Sequence, residues 1–147
     1  MKEIRTEIEI AAPPEGVWSI LTGFASFHEW NPFMLTAQGE AIPGNRLQVR
    51  LQPPGGMAMT FKPTVLNAEP NRELRWLGHL LLPGLFDGEH YFLIEDRGEG
   101  GARFIQGERF TGTLVPLMGL MGLFGKMTRG FEEMNRALKA RAQEVTP

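Results

Sequence analysis

Two aromatic-rich runs joined by glycines decide the fold: residues 74–112 read LRWLGHLLLPGLFDGEHYFLIEDRGEGGARFIQGERFTG. The glycine-rich segment DRGEGGA between the runs predicts the turn of a long β-hairpin. Polar side chains interrupt the apolar pattern on both sides of this turn, namely His79, Glu89, His90, Gln106 and Glu108. Whether they face water or the interior distinguishes an ordinary globular domain from one that carries a ligand site.

Charge pairs predict the strand register of the hairpin. If Glu89 faces Arg109, then Glu95 faces Arg103, and two pairs of opposite charge lie on one face of the sheet. Every other register of the same parity breaks at least one of these pairs. The opposite face then carries mostly aromatic and aliphatic side chains: Phe86, His90, Phe92, Ile94, Phe104, Gln106, Glu108 and Phe110.

The mostly apolar face is the inner one, and its polar residues need partners there. A buried carboxylate costs several kcal/mol unless it is paired. The register places His90 opposite Glu108, so we expect an imidazole–carboxylate pair that Gln106 extends by a hydrogen bond. By the same alternation, His79 and Glu89 are expected to face outward.

The rest of the chain predicts an α+β order of elements. The start KEIRTEIEI alternates with period two and predicts a strand, APPEGVWSILTGF and ASFHEWNPF predict two short helices, and FMLTAQGE, RLQVRLQ, MTFKPTVLNAEP and ELRWLGHLL predict further strands. Pro63 is expected at an edge or a bulge because it cannot donate a ladder hydrogen bond. We expect a single domain over residues 1–147, since no linker or repeat interrupts the chain.

From Pro116 to about Ala142 the apolar residues recur at spacings of three and four, which predicts one long helix. Its first half, PLMGLMGLFG, combines glycines that remove bulk with methionines that adapt their shape. Two interpretations stay open at this point: the segment packs as ordinary core against the sheet, or it forms the pliable wall of a cavity.

Composition excludes several classes of function. The formal net charge is −2 and no Lys/Arg run is present, so we expect no nucleic-acid partner. Without cysteine there is no disulfide, thiolate nucleophile or Cys-based zinc site. The apolar run 114–125 is too short to span a bilayer, which takes ~20 residues. MKEIRTEIEI does not resemble a signal peptide. This favours a cytoplasmic location. The sequence does not predict an oligomeric state.

Four segments resemble the START/Bet v1-like helix-grip superfamily, in particular its bacterial polyketide cyclase/dehydrase and lipid-transport branch. They are APPEGVWSILTGFASFHEWNPF, LRWLGHLLLPGLFDGEHYF, QGERFTGTLVP and GFEEMNRALKARAQ. The resemblance implies a curved antiparallel sheet of about seven strands around a long C-terminal helix, with two short helices after the first strand and a hydrophobic cavity between sheet and helix. It transfers no catalytic residue to a numbered position of this chain.

The leading hypothesis is the binding of a small hydrophobic molecule, lipid-like or aromatic, with transport of that molecule as an extension of it. Access is expected through the loops HEWNPF and LLPGLF. The expected ligand-binding residues are Trp76, Phe86, His90, Phe92, Phe104, Gln106, Glu108, Phe110, Met121 and Phe124. The alternative is a cyclase or dehydratase in which His90 moves protons and Glu108 holds its tautomer. A chaperone-regulator type of interaction module is disfavoured by the charged outer face. No cofactor is expected, and one His with one Glu is an incomplete metal set.

Overall fold

Eight strands and four α-helices make up the described part of the chain, residues 1–145, in the computed structural model. The strands are β1 (Lys2–Ile10), β2 (Met34–Gln38), β3 (Gln48–Leu51), β4 (Met59–Phe61), β5 (Thr64–Glu69), β6 (Glu73–His79), β7 (Asp87–Gly98) and β8 (Gly101–Thr111). The helices are α1 (Pro14–Thr22), α2 (Phe27–Trp30), α3 (Val115–Leu120) and α4 (Leu123–Val145), with a 3₁₀ turn at Phe24–Ser26. The predicted α+β helix-grip fold is confirmed.

The strands form two antiparallel sheets rather than one. The larger sheet has the order β1-β8-β7-β6-β5 and the smaller has the order β2-β3-β4. Backbone hydrogen bonds from the β2–β3 connection to β5 join them: Gly44 N–H donates to the Val65 carbonyl, and Val65 N–H donates to the Asn45 carbonyl, both at 2.8 Å. The two sheets therefore share one wall around the helix.

The strand count of about seven was one too low, and Pro63 supplies the reason. The predicted strand MTFKPTVLNAEP is divided into β4, which ends at Phe61, and β5, which begins at Thr64. A proline cannot donate to the ladder, so the strand breaks around it. A further register irregularity follows between Val65 and Asn67.

The prediction of one continuous C-terminal helix was also wrong. The chain leaves helical geometry after Leu120 and resumes it at Leu123, and Gly122 at the break has a φ of 77°. This left-handed conformation is open to glycine at no steric cost, which is why helices often end at such a residue. The short α3 contributes no buried residue, whereas α4 forms the centre of the core.

The core lies between α4 and the inner face of the larger sheet. Phe131, Met134, Leu138 and Ala142 of α4 recur at helical spacing and are fully buried. They belong to the same cluster as Ile4, Leu74, Phe92 and Phe104 of the sheet. Among residues 1–145, no helix is long and apolar enough to cross a membrane.

Candidate functional site

A cavity of about 240 Å³ lies between the two sheets, beside α3 and the start of α4. The larger sheet borders it with Trp76, Gly78, His79, Gly88, His90, Glu108 and Phe110. His79 was expected to face outward, and its Nδ1 lies 2.7 Å from the Asp87 Oδ1. The smaller sheet faces them with Met34, Val49, Leu51, Met59 and Phe61, and the helices add Met118, Met121, Leu123, Lys126 and Met127. The wall is thus mostly apolar, with a few polar groups at defined places.

Methionine is concentrated around this cavity. Six of the eight methionines in the chain border it: Met34, Met57, Met59, Met118, Met121 and Met127. They come from four separate parts of the chain, so the concentration is created by the fold. Unbranched thioether side chains change shape at little cost, which gives a wall that can adapt to an occupant.

Two glycines on neighbouring strands give the cavity its floor. Gly78 of β6 pairs with Gly88 of β7, and both occupy inward positions of the larger sheet. A methyl group on Gly78 would meet nothing closer than the Pro63 Cβ at 3.7 Å, so the space above it is open. A methyl group on Gly88 would collide with the Glu108 Oε2. The missing side chain of Gly88 is therefore what makes room for the Glu108 carboxylate.

The predicted hairpin register is confirmed, and it brings His90 and Glu108 together. Glu89 pairs with Arg109, His90 with Glu108 and Glu95 with Arg103. The His90 Nδ1 lies 3.2 Å from the Glu108 Oε1, and the two side chains are only 3% and 13% exposed. Three aromatic rings surround the imidazole, those of Trp76, Phe92 and Phe131, with centroid distances of 5.5, 4.6 and 5.0 Å.

A chain of buried hydrogen bonds continues from the far side of His90. The His90 Nε2 lies 2.9 Å from the Gln106 Oε1, and the Gln106 Nε2 donates to the Asn135 Oδ1 over 2.8 Å. The Asn135 Nδ2 donates to the Thr6 Oγ1, and the Thr6 hydroxyl donates to the Gln106 carbonyl, each over 2.8 Å. The polar trio predicted from the sequence is therefore part of a network of five side chains that crosses from β7 to α4.

Sequence reasoning missed Thr6 and Asn135, although both stand in patterns that it used. Thr6 has the same strand parity as Ile4, Ile8 and Ile10, so its side chain points inward. Asn135 follows Phe131 by four residues on the buried stripe of α4. Each is a polar residue at a position where the pattern of its strand or helix predicts an apolar one, and this signal could have identified both.

The ten predicted ligand-binding residues divide into two groups. Six border the cavity: Trp76, Phe86, His90, Glu108, Phe110 and Met121. The other four, Phe92, Phe104, Gln106 and Phe124, do not border it. Phe92, Phe104 and Gln106 are fully buried in the core, and Phe124 packs against the rings of Phe86 and Phe110.

The loops that border the cavity differ in part from the expected access route. Phe86 of the expected segment LLPGLF borders the cavity, as does Leu80 directly before that segment, but HEWNPF does not. Its place is taken by the β3–β4 connection, through Pro53, Gly56 and the largely exposed Met57. Within residues 1–145, no group of three His, Asp or Glu side chains is placed to hold a metal ion.

The outer face of the same strands carries charge pairs. Arg75 of β6 contacts both Glu73, at 3.2 Å, and Glu89, at 2.8 Å. The amide of Asn67 donates to Glu73 and, with Arg75, holds the pKa of that carboxyl below its usual range, although burial opposes the shift. Burial, together with the hydrogen bond that the Tyr91 hydroxyl donates to Glu3, raises the pKa of Tyr91.

Sheets that surround a long helix, with a ligand-sized cavity beside it, define a START-like helix-grip protein. The chain belongs to the family described as polyketide cyclase / dehydrase and lipid transport, whose model matches residues 1–143. No curated protein sequence matches the chain.

Solved structures share the fold at low sequence identity. A START superfamily protein from Mycobacterium smegmatis is 19% identical, with a TM-score of 0.73 over 98% of this chain and 99% of that chain. The aromatase/cyclase Zhui from Streptomyces sp. R1128 is 14% identical, with a TM-score of 0.79 over 97% and 94%. Norcoclaurine synthase from Thalictrum flavum, in complex with dopamine and hydroxybenzaldehyde, is 12% identical, with a TM-score of 0.73 over 99% and 88%.

Proposed function

We propose that this protein binds a small, mostly apolar molecule in the cavity between its two sheets. The observation that carries the proposal is a partly open cavity with mostly apolar walls and one buried polar pair, His90 with Glu108, on its border. Ligand sites in proteins have this composition, because apolar surface supplies affinity and a few polar groups fix orientation.

The size of the cavity favours a compact ligand. Its volume of about 240 Å³ is slightly below the roughly 300–1,000 Å³ of common ligand pockets. Rings of Trp76, Phe86 and Phe110 stand on its wall, and such rings stack on flat apolar molecules. The methionines around them can adjust to ligands of different outline. We therefore propose a ligand of one or two fused rings, or a short aliphatic chain.

Filling the cavity tests this proposal. Gly78→Val adds an isopropyl group to the floor at a position where a Cβ fits without collision. We expect the wild type to bind the apolar fluorescent probe N-phenyl-1-naphthylamine and the variant to bind it about tenfold less tightly or worse. Thr64→Val is the matched control, because it places the same valine side chain at an exposed position of the neighbouring strand, away from the cavity. Equal probe affinity in wild type and Gly78→Val would refute the cavity as the site.

Proton transfer on a bound carbonyl compound is the second candidate function, and the place of Glu108 favours it. Both ring nitrogens of His90 face protein oxygens, whereas the carboxylate of Glu108 borders the cavity. The group better placed to exchange a proton with a ligand is therefore Glu108, with His90 as its positioning residue. This reverses the roles that the sequence suggested. Carboxylates on a cavity wall act as general bases when they reach the acidic hydrogen.

Deuterium exchange would test this second candidate. With 2-tetralone in D₂O, Glu108 would take a proton from the carbon beside the carbonyl, and a solvent deuteron would replace it. We expect NMR to show faster exchange with the wild type than with Glu108→Gln. Exchange at the rate of buffer alone would exclude proton transfer on ketones of this kind, without affecting the binding proposal.

A further inference from the structure

The buried hydrogen-bond chain fixes where its hydrogens lie, beginning at Thr6. The Thr6 hydroxyl has one hydrogen, and its Oγ1 lies 2.8 Å from the Gln106 backbone carbonyl oxygen, which can only accept. The Thr6 Oγ1 must then accept from Asn135, whose Nδ2 lies 2.8 Å away. This orients the Asn135 amide with its Oδ1 toward Gln106.

The orientation of Gln106 follows from that of Asn135. Its Nε2 donates to the Asn135 Oδ1 at 2.8 Å and lies 3.5 Å from the Phe131 carbonyl. If the Gln106 amide were reversed, its oxygen would lie against the carbonyl oxygen of Phe131, and two acceptors cannot form a hydrogen bond with each other. The Gln106 Oε1 therefore points to His90 and accepts a hydrogen bond from the His90 Nε2–H over 2.9 Å.

With its Nε2 protonated, His90 can link to Glu108 only through a second proton. The His90 Nδ1 and the Glu108 Oε1 lie 3.2 Å apart, and two bare lone pairs at that distance would repel. The proton sits either on the Nδ1, giving imidazolium and carboxylate, or on the Oε1, giving a neutral pair. In both arrangements, each ring nitrogen of His90 is occupied, so the imidazole offers no donor to the cavity.

The second oxygen of Glu108 is the group that remains for a ligand. The Glu108 Oε2 has no hydrogen-bond partner within residues 1–145 and lies over the backbone of Gly88, on the floor of the cavity. It is an acceptor in both proton arrangements, because the shared proton is held on the side of the Oε1. The polar end of the cavity, formed by His90 and Glu108, therefore accepts hydrogen bonds from a ligand and donates none.

We infer that the ligand carries a hydrogen-bond donor, a phenolic or alcoholic hydroxyl or an N–H group, which it gives to the Glu108 Oε2. This inference rests on the proposed function, since it assigns the chemical class of the molecule that the cavity binds. His90, Gln106, Asn135 and Thr6 act as positioning residues that keep this oxygen a pure acceptor. A ligand that presents an ether or a carbonyl oxygen at this end meets repulsion instead.

A pair of probes that differ only in the donor tests the inference. 2-Naphthol carries a hydroxyl, and 2-methoxynaphthalene has the same rings without the hydrogen. Because a hydrogen bond to a charged or charge-sharing group is stronger than one to a neutral group, we expect the wild type to prefer 2-naphthol by about tenfold or more in calorimetric titration. Equal affinities for both probes would overturn the inference and leave cavity binding intact. Failure to bind either probe would overturn both proposals.

Three variants test which side chain causes the preference for 2-naphthol over 2-methoxynaphthalene. Glu108→Met replaces the carboxylate by an apolar chain of similar length, so the preference is expected to fall to about one while 2-methoxynaphthalene still binds. Gly88→Ala places a methyl group where the Oε2 lies and should reduce the preference without removing the acid. Lys126→Met alters the only lysine or arginine that borders the cavity within residues 1–145 and should retain the preference. If Lys126→Met abolished the preference and the two other variants kept it, Lys126 would be the anchor and the inference would be wrong.

Discussion

The space under α4 has a closed half and an open half, although one sheet forms the floor of both. In the closed half, Phe131, Met134 and Leu138 of α4 share a fully buried cluster with Leu74, Phe92 and Phe104 of the sheet. In the open half, the start of α4 faces Gly78 and Gly88, and a cavity remains. Since β6 and β7 run through both halves in unbroken register, side-chain size at the inward positions makes the difference.

His90 stands at the boundary between the halves. Its ring packs against Phe92 and Phe131 on the closed side, while the Glu108 beside it borders the cavity. The hydrogen bonds through Gln106 and Asn135 attach this boundary to α4. A rigid half thus holds a polar group in place at the edge of an adaptable half, which is the arrangement a binding site requires.

Truncating one large side chain in each half should give the largest difference in the free energy of unfolding. Phe131→Ala removes a ring that is fully buried and contacts both Phe33 and His90, so we expect a loss of about 3–5 kcal/mol in the free energy of unfolding. Met121→Ala removes a side chain that is 66% exposed on the cavity rim and should cost less than about 0.5 kcal/mol. Urea denaturation measures both. Similar losses would show that the halves are packed alike.

The closed half was predictable from the sequence to a large extent. Two pairs of opposite charge, Glu89 with Arg109 and Glu95 with Arg103, together predicted the hairpin register. The register assigned Phe92, Phe104 and His90 to the inner face. Period-two and helical spacing carry this information because both report which side of an element is apolar. The interruption at Gly122 escaped the same reasoning, since the apolar spacing of α3 continues into α4 and does not record a change of backbone direction.

The open half was less predictable, because a cavity is defined by what is absent. The glycines of the helical segment leave two interpretations open in the sequence, packed core or cavity wall, whereas in the structure the cavity lies over Gly78 and Gly88 of the sheet. Pairing β6 with β7 was needed to see that these two residues meet, and no charge pair predicted that register. Met57 and Met59 reach the cavity through long-range contacts between sheets, which local patterns do not encode.

Breaking the polar network at α4 should lower the free energy of unfolding by an intermediate amount. Asn135→Leu leaves the amide of Gln106 and the hydroxyl of Thr6 each without one buried partner, which typically costs about 1–3 kcal/mol. Arg136→Leu changes the neighbouring exposed residue and should stay within about 0.5 kcal/mol of the wild type. A separate readout is the imidazole ¹⁵N spectrum. It should show a protonated Nε2 on His90 in the wild type and a mixture of tautomers in Asn135→Leu. An unchanged spectrum would mean that Asn135 does not orient Gln106.

The smallest effect on the free energy of unfolding is expected on the outer face of the larger sheet, where a change should leave both halves intact. The pKa of Glu73 is lowered, first by the hydrogen bond from Asn67 and then by Arg75. A lowered pKa in the folded state means that the unfolded chain binds the proton more readily. The stabilisation is therefore present above the ordinary value of 4.5 and is lost as the pH falls through the lowered pKa. Glu73→Gln removes this contribution.

We expect Glu73→Gln to be less stable than the wild type by up to about 1 kcal/mol at pH 7, as for partly exposed ion pairs, with an unchanged affinity for 2-naphthol. The difference in unfolding free energy should shrink below pH 4.5, where the carboxyl of the unfolded wild type takes up its proton. Glu132→Gln, at an exposed position of α4, controls for the loss of one charge. A difference that persists into acid would show that the side chain contributes through packing. A change in 2-naphthol affinity would show that the outer face is coupled to the cavity, so that the open half depends on more than the side chains bordering it.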